Sequence, residues 1–220
     1  MGFFEFLQNN FLHVFPILIT GFIAVAITIE RGVSLFKRYT VENSEVVYGK
    51  IRELTEVGRI TDAMGLVNQY AGKPSMDLIK EALKRAHQPE ELIISTIEIA
   101  RNKYAERITK RTGYLATIAN VATLLGLLGT IAGLIESFSA VGHADAQQKA
   151  AILANGISTA MNATMLGLGV AVPCMILFSF FQNKASHLVS ELESSGLMIH
   201  DAIMVCTLGG AQNNDERRGA

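Results

Sequence analysis

Three stretches of this chain carry no Asp, Glu, Lys or Arg: residues 6–29, 112–135 and 150–183. About 20 apolar residues, each rising 1.5 Å along a helix, cross the hydrocarbon layer of a bilayer. Every one of the three runs is long enough. The second could instead be a buried core helix, but a soluble domain of 220 residues seldom holds three such runs. The pattern therefore predicts an all-α membrane protein with three transmembrane helices. The formal net charge of -1 points neither to nucleic acid nor to an acidic substrate.

Basic residues set the expected orientation. Arg31, Lys37 and Arg38 follow the first run closely, and the segment up to Arg111 is rich in Lys and Arg, whereas the loop "GHADAQQK" offers only Lys149. Lys and Arg gather on the cytoplasmic side of a membrane. The reading is a first transmembrane helix over 1–38, a cytoplasmic helical domain over 39–111 and a second transmembrane helix over 112–141. An extracytoplasmic loop over 142–149, a third transmembrane helix over 150–183 and a cytoplasmic C-terminal helix and tail over 184–220 complete it. The N-terminus lies outside and the C-terminus inside, with the tail "NNDERRGA" fraying. The first run lacks a basic leader and a small-residue cleavage site, so it is expected to stay in place. Cys174 and Cys206 make no disulfide framework.

The 39–111 segment shows helical periodicity only. Asn43 or Ser44 can cap a helix that Gly58 ends. A second helix begins at Ile60 and presents Ala63, Leu66, Val67 and Tyr70 on one face. "GKP" at 72–74 is a stop and turn, Ser75 caps a third helix with Leu78, Ile79, Ala82 and Leu83 inward, and Pro89 opens a fourth. In that fourth helix Ile93, Ile97, Ala100, Tyr104 and Ile108 recur at three- and four-residue spacings. With no proline or turn cluster ahead, a single rod from Pro89 to Val141, roughly 80 Å long, is expected to run from the cytoplasm through the membrane.

No catalytic constellation appears. His13, His87, His143, His187 and His200 pair with nothing at metal-ligand spacing, and there is no phosphate-cradling loop and no nucleophile elbow. Neither an enzyme nor a cofactor or metal site is expected.

The polar content of the second and third runs is the informative feature. In the second, Thr123, Gly126, Thr130, Gly133 and Ser137 share a helical face; close helix packing accounts for much of it. In the third, "GISTAMNATMLGLGVAVP" (156–173), residues Asn155, Ser158, Thr159 and Asn162 cluster on one side. Thr164 lies nearly opposite, with Ala160, Gly167 and Ala171. Pro173 removes a backbone bond. Such a helix has two faces unsuited to lipid, one for a neighbouring helix and one for something polar. Hydroxyls and amides can hydrogen-bond water or a guest, but they cannot hold a proton. Glu136 lies near the outer end, where it can snorkel to the interface, and Glu30 with Arg31 makes an interfacial pair at the inner end of the first helix. A proton-carrying acid at mid-membrane is absent.

"LLGLLGTIAGLIESFSAVG" (124–142) and "GISTAMNATMLGLGVAVP" resemble the two signature helices of the MotA/TolQ/ExbB proton-channel family, and "GRITDAMGLVNQYAGKP" resembles its cytoplasmic pattern. The three-span, N-out layout is similar to the TolQ/ExbB branch. The resemblance implies a homo-oligomer, a pentamer, in the bacterial inner membrane around a single-span partner of the ExbD/TolR type. The partner's membrane Asp takes up and releases the ion, and ion flow drives an envelope process such as TonB-type transport. It also implies that Thr130 and Thr164 face the pore, with Thr159 and Asn162 nearby on the ion pathway. Gly126, Gly129, Gly133, Gly167 and Pro173 then serve helix packing. Thr159 stands where TolQ and ExbB usually carry Glu, Asn162 where they carry an apolar residue and Ala132 where they carry Trp. Neutral oxygens here suit Na+ as well as H+. The competing expectation is a non-conducting oligomeric membrane scaffold.

Overall fold

A computed structural model describes residues 11–142, 145 and 147–218, with side chains described from Val14 to Gly209. Residues 6–10 of the first run, part of the 142–149 loop and residues 219–220 lie outside the described residues. Among the described residues there is no strand. The order is α1 (Phe11–Gly32), a π-helical turn (Val33–Arg38), α2 (Ser44–Glu56), α3 (Ile60–Gln69), α4 (Pro74–Leu83), α5 (Glu90–Thr109), α6 (Gly113–Gly142) and α7 (Lys149–Arg218). The chain divides into two compact units, Met1–Arg31 with Arg111–Phe181 and Gly32–Lys110 with Gln182–Ala220.

The first unit holds α1, α6 and the first part of α7. Val14 packs on Ala163 and Leu166, and Ile17 is fully buried. Leu115, Ala119 and Ala122 of α6 are buried, as are Ala160, Ala163 and Ala171 of α7. The inward residues are mostly small and the outward ones large: Phe22, Leu124, Ile131, Met161 and Ile176 are all at least half exposed. That inversion of the soluble pattern suits a lipid solvent, where large apolar side chains meet acyl chains and small ones let backbones approach. Helices long and apolar enough to cross a membrane lie within Val14–Arg38, Glu90–Gly142 and Lys149–Gly209.

The second unit packs α2 to α5 with the later part of α7 around a conventional core. Ile51, Leu78, Ile79, Ile93, Ile108, Leu192 and Ile199 are at most 1% exposed; each such side chain contributes about 1.5–3 kcal/mol on burial. Gly58 and Gly72 end their helices at φ +81° and +89°, and Pro74 occupies the first turn of α4. Inside this unit the Tyr48 hydroxyl donates to a carboxylate oxygen of Glu191 at 2.7 Å and lies 2.8 Å from Ser75 Oγ. Burial first, and then the Glu191 carboxylate, push the Tyr48 phenol well above its ordinary range.

Four local expectations are revised. The Pro89–Val141 rod is two helices: Lys110 is extended (ψ 133°) and Arg111 is left-handed (φ 64°). That turn directs Arg111 Nη1 onto Glu30 Oε2 at 2.8 Å, a contact with a residue 81 positions away. The long unbroken helix is instead α7, which runs through Pro173 and into the tail expected to fray, as far as Arg218. Asn43 does precede α2, but in the left-handed region (φ 53°) and without a side-chain capping bond. Ser75 lies inside α4, where its hydroxyl meets Tyr48 rather than capping.

Candidate ion pathway

Between helices in lipid no hydrophobic drive operates, so close backbone contact has to supply the packing energy. On α6, Gly126, Gly129 and Gly133 recur at three- and four-residue spacings and share a face. They meet Ala160, Ala163 and Gly167 of α7. A Cβ placed on Gly129 would stand 2.7 Å from Ala163 Cβ, and one on Gly167 would stand 2.6 Å from the Ala122 carbonyl oxygen. On Gly126 it would reach the Ala163 carbonyl oxygen and Gly167 Cα at 3.2 Å, and on Gly133 the Ala160 Cβ at 3.3 Å. A side chain on Gly156 would overlap Ser137 Oγ. Pro173 lies off this seam, exposed, beside a groove that α7 forms with α1.

The threonine hydroxyls along α6 and α7, and that of Ser137, have their protons committed. Thr130 donates to the Leu127 carbonyl at 2.6 Å, Thr123 to Ala119 at 3.0 Å, Ser137 to Gly133 at 2.6 Å and Thr159 to Asn155 at 3.0 Å. Thr164 reaches across the seam and donates to the Gly126 carbonyl at 3.3 Å. A carbonyl oxygen only accepts, so the direction of each bond is fixed. What each threonine then presents outward is oxygen lone pairs. Such oxygens accept from water, from hydronium or from a protonated carboxyl group, and they can ligate a hard cation.

The four candidate pathway residues do not converge within one copy. Thr164 faces α6, one turn from Thr130 along the seam. Asn162 falls on the opposite side of α7, since two residues turn an α-helix by about 200°, and Thr159, five residues from Thr164, lies about 140° round from it. Asn155, Ser158 and Asn162 make no side-chain hydrogen bond among the described residues. An amide or hydroxyl left without a partner in hydrocarbon costs about 2–7 kcal/mol, so this face requires water or another polar surface against it. Glu136 is exposed near the end of α6. Among the described residues, no group of three or more His, Cys, Asp or Glu could hold a metal ion.

Sequence reasoning paired Glu30 with Arg31 and missed Arg111, which lies 2.8 Å from Glu30 against 3.2 Å for Arg31. Its signal was available: Arg111 is the last charged residue before the second uncharged run. Of the seam's alanines, Ala160 was placed by spacing beside Thr164 and Gly167, whereas Ala122 and Ala163 were missed, because alanine is too common in helices to stand out.

The profile of the MotA/TolQ/ExbB proton channel family matches residues 71–194, more than half of the chain. The chain belongs to the MotA/TolQ/ExbB family. The matched region takes in α4, α5, α6 and the part of α7 that carries the seam. Among similar proteins, an ExbB homologue of Methanothermobacter thermautotrophicus is 29% identical over 168 residues, covering 76% of this chain and 58% of its own. TolQ of Haemophilus influenzae is 33% identical over 108 residues, 48% of this chain and 45% of its own. ExbB of Aquifex aeolicus is 35% identical over 89 residues, 40% of this chain and 60% of its own. The chain thus spans about half to three fifths of these relatives. The structure of MotAB from C. jejuni shares the fold at a TM-score of 0.61 and 20% identity, over 89% of this chain and 78% of that one. As a MotA/TolQ/ExbB member of this fold, the chain is an all-helical membrane protein.

Proposed function

We propose that this chain is the pore-forming subunit of an ion-motive-force-driven stator in the bacterial inner membrane. Copies of it, five by resemblance, surround a single-span partner of the ExbD/TolR type. Residues 1–38, 112–141 and 150–183 span the membrane with the N-terminus outside; 39–111 and 184–220 lie in the cytoplasm, and 142–149 outside. The observation that carries this reading is the set of threonine oxygens whose protons are bonded to backbone carbonyls, in runs without a carboxylate. The wall can hydrogen-bond a protonated acid but cannot carry the proton, so the titrating group belongs to the partner. Thr130 and Thr164 face that acid, and the polar side of α7 with Thr159 and Asn162 completes the water-accessible path where copies meet. Gly126, Gly129, Gly133 and Gly167 hold the wall together. Moving one charge through 100 mV yields roughly 2.3 kcal/mol, and several transfers drive work on an envelope client such as a TonB-type system.

The test is ion flux in liposomes holding this chain with and without a co-purified single-span partner, under H+ and then Na+ gradients. Flux is expected only with the partner present. A second reading, a non-conducting scaffold, draws on the same hydroxyl-to-backbone bonds, which also satisfy polar groups at a packing seam. No flux in either gradient, with the complex intact, selects the scaffold.

A further inference from the structure

The seam between α6 and α7 has two flanks, and they differ in chemistry. Thr130 follows Gly129 by one residue and precedes Gly133 by three; Thr164 stands likewise to Ala163 and Gly167. Both are thereby turned roughly 60–100° off the seam in one sense. The two helices run antiparallel, with Gly126 against Gly167, Gly133 against Ala160 and Ser137 against Gly156. Equal offsets along the two chains therefore fall on the same side of the pair. Glu136 and Thr159 have the reverse offset. Glu136 precedes Ser137 by one residue and follows Gly133 by three, and Thr159 stands likewise to Ala160 and Gly156. Asn155 and Asn162 immediately precede Gly156 and Ala163. The second flank thus gathers one carboxylate, one hydroxyl and two amides. The facing pairs also set the heights: Glu136 stands within about one turn of Thr159, on its outward side.

This chemistry selects a cation. Glu136 is exposed and makes no ion pair and no side-chain hydrogen bond among the described residues, although it lies about 9 Å before the end of α6 at Gly142. Thr159 has given its proton to the Asn155 carbonyl and offers lone pairs, and the side-chain oxygens of Asn155 and Asn162 are further acceptors. One full negative charge among neutral oxygens suits a proton or a hard monovalent cation and repels an anion. Access is one-sided. Val14 of α1 packs on Ala163 and on Leu166, and Leu166, immediately before Gly167, belongs to this same flank. From Val14 inward α1 covers the flank, and the polar residues lie on the outward side of that cover.

We infer that Glu136, Thr159 and Asn162 form an outer loading site for the coupling cation, which the Glu136 carboxylate binds from outside water, as H+ or as Na+, before it reaches the face of Thr130 and Thr164. This rests on the stator reading and its N-out orientation. The alternative is an interfacial glutamate without a role, for which the charge is dispensable.

The test is flux into liposomes holding the full complex, this chain with its co-purified single-span partner, against outer ion concentration, in one series of pH and one of Na+. Glu136→Gln keeps the shape and removes the charge. In the series of the coupling ion it should raise the concentration for half-maximal flux about five-fold, the effect of one charge at ~4 Å in a wet site, and by more than it changes maximal flux. Glu136→Asp, which restores the charge one methylene back, should recover most of that shift. Inert choline chloride should weaken uptake by the wild type and not by Glu136→Gln, because screening acts on the charge. Half-saturation that Glu136→Gln leaves unmoved in both series overturns the site. So does a wild type indifferent to choline chloride, a measurement that stands even where Glu136→Gln does not assemble. An intact wild-type complex that passes neither ion removes the stator reading and the loading site together, whereas flux with an unmoved Glu136→Gln removes the site alone.

Discussion

Thr164 and Thr130 differ from valine by one oxygen, and that oxygen is what the ion-pathway reading needs. Thr164→Val keeps the shape at the seam and removes the bond to the Gly126 carbonyl, costing about 1 kcal/mol of packing stability. It should leave the oligomer intact while abolishing partner-dependent flux in liposomes; unchanged flux would remove Thr164 from the pathway. In the second unit Tyr48 makes a sharper pH prediction. Its folded pKa lies above the ordinary value of 10.0, so the stability it contributes is complete below pH 10 and is lost as pH rises further. Tyr48→Phe should lower stability by about 1.5–3 kcal/mol, the range for a hydrogen bond to a charged group. It should also flatten the decline of thermal stability above pH 10, measured for the solubilised protein across a pH series. A variant that declines as steeply as wild type would place the titration elsewhere.

Helix for helix, much of the fold was legible, and the failures have a common cause. The three uncharged runs and the stripe Leu78, Ile79, Ala82 and Leu83 follow from local periodicity. The stop at Gly58 follows from glycine's freedom at φ +81°. The break at Lys110–Thr112 does not: it puts an arginine in the left-handed region, and a carboxylate 81 residues away holds it there. Local propensity has no access to such a contact. Likewise Ser75 reads as a cap until Tyr48 is seen to use its hydroxyl. For the candidate site, the glycine face of α6 and Ala160 of α7 were readable from spacing, whereas Ala163 of α7 and the Ala122 carbonyl that meets Gly167 were not. The seam yields a graded prediction. Gly167→Ala must displace the Ala122 carbonyl 2.6 Å away and should cost about 1–3 kcal/mol, the usual range for overpacking. Gly169→Ala, two residues on in open space, should cost nothing beyond experimental error. Apparent melting temperatures of the two solubilised variants separate them, and equal values would show that α6 and α7 do not meet at Gly167.

For the whole molecule, the family assignment and the distribution of carboxylates bear on each other. A homo-oligomer of this chain alone has hydroxyls and amides along its candidate path and no acid within the second and third uncharged runs. Reconstituted without a partner it should therefore be ion-tight, and co-reconstitution with a single-span protein carrying a membrane Asp should open the flux. Replacing that Asp with Asn should close it again. Leakage through the oligomer alone would mean that water and the hydroxyl wall suffice, and the division of labour between two proteins would fail.

The committed protons of Thr130 and Thr164 have one more consequence. On the proposed pathway these two threonines present only the negative ends of dipoles and so sort visitors by charge: an ionised acid is repelled where it turns towards them, and the same acid, once neutralised, is welcome. The obstacle to back-leak is then no moving plug. It is the toll that an unprotonated side chain meets wherever it turns towards the threonines, and it vanishes for the loaded form.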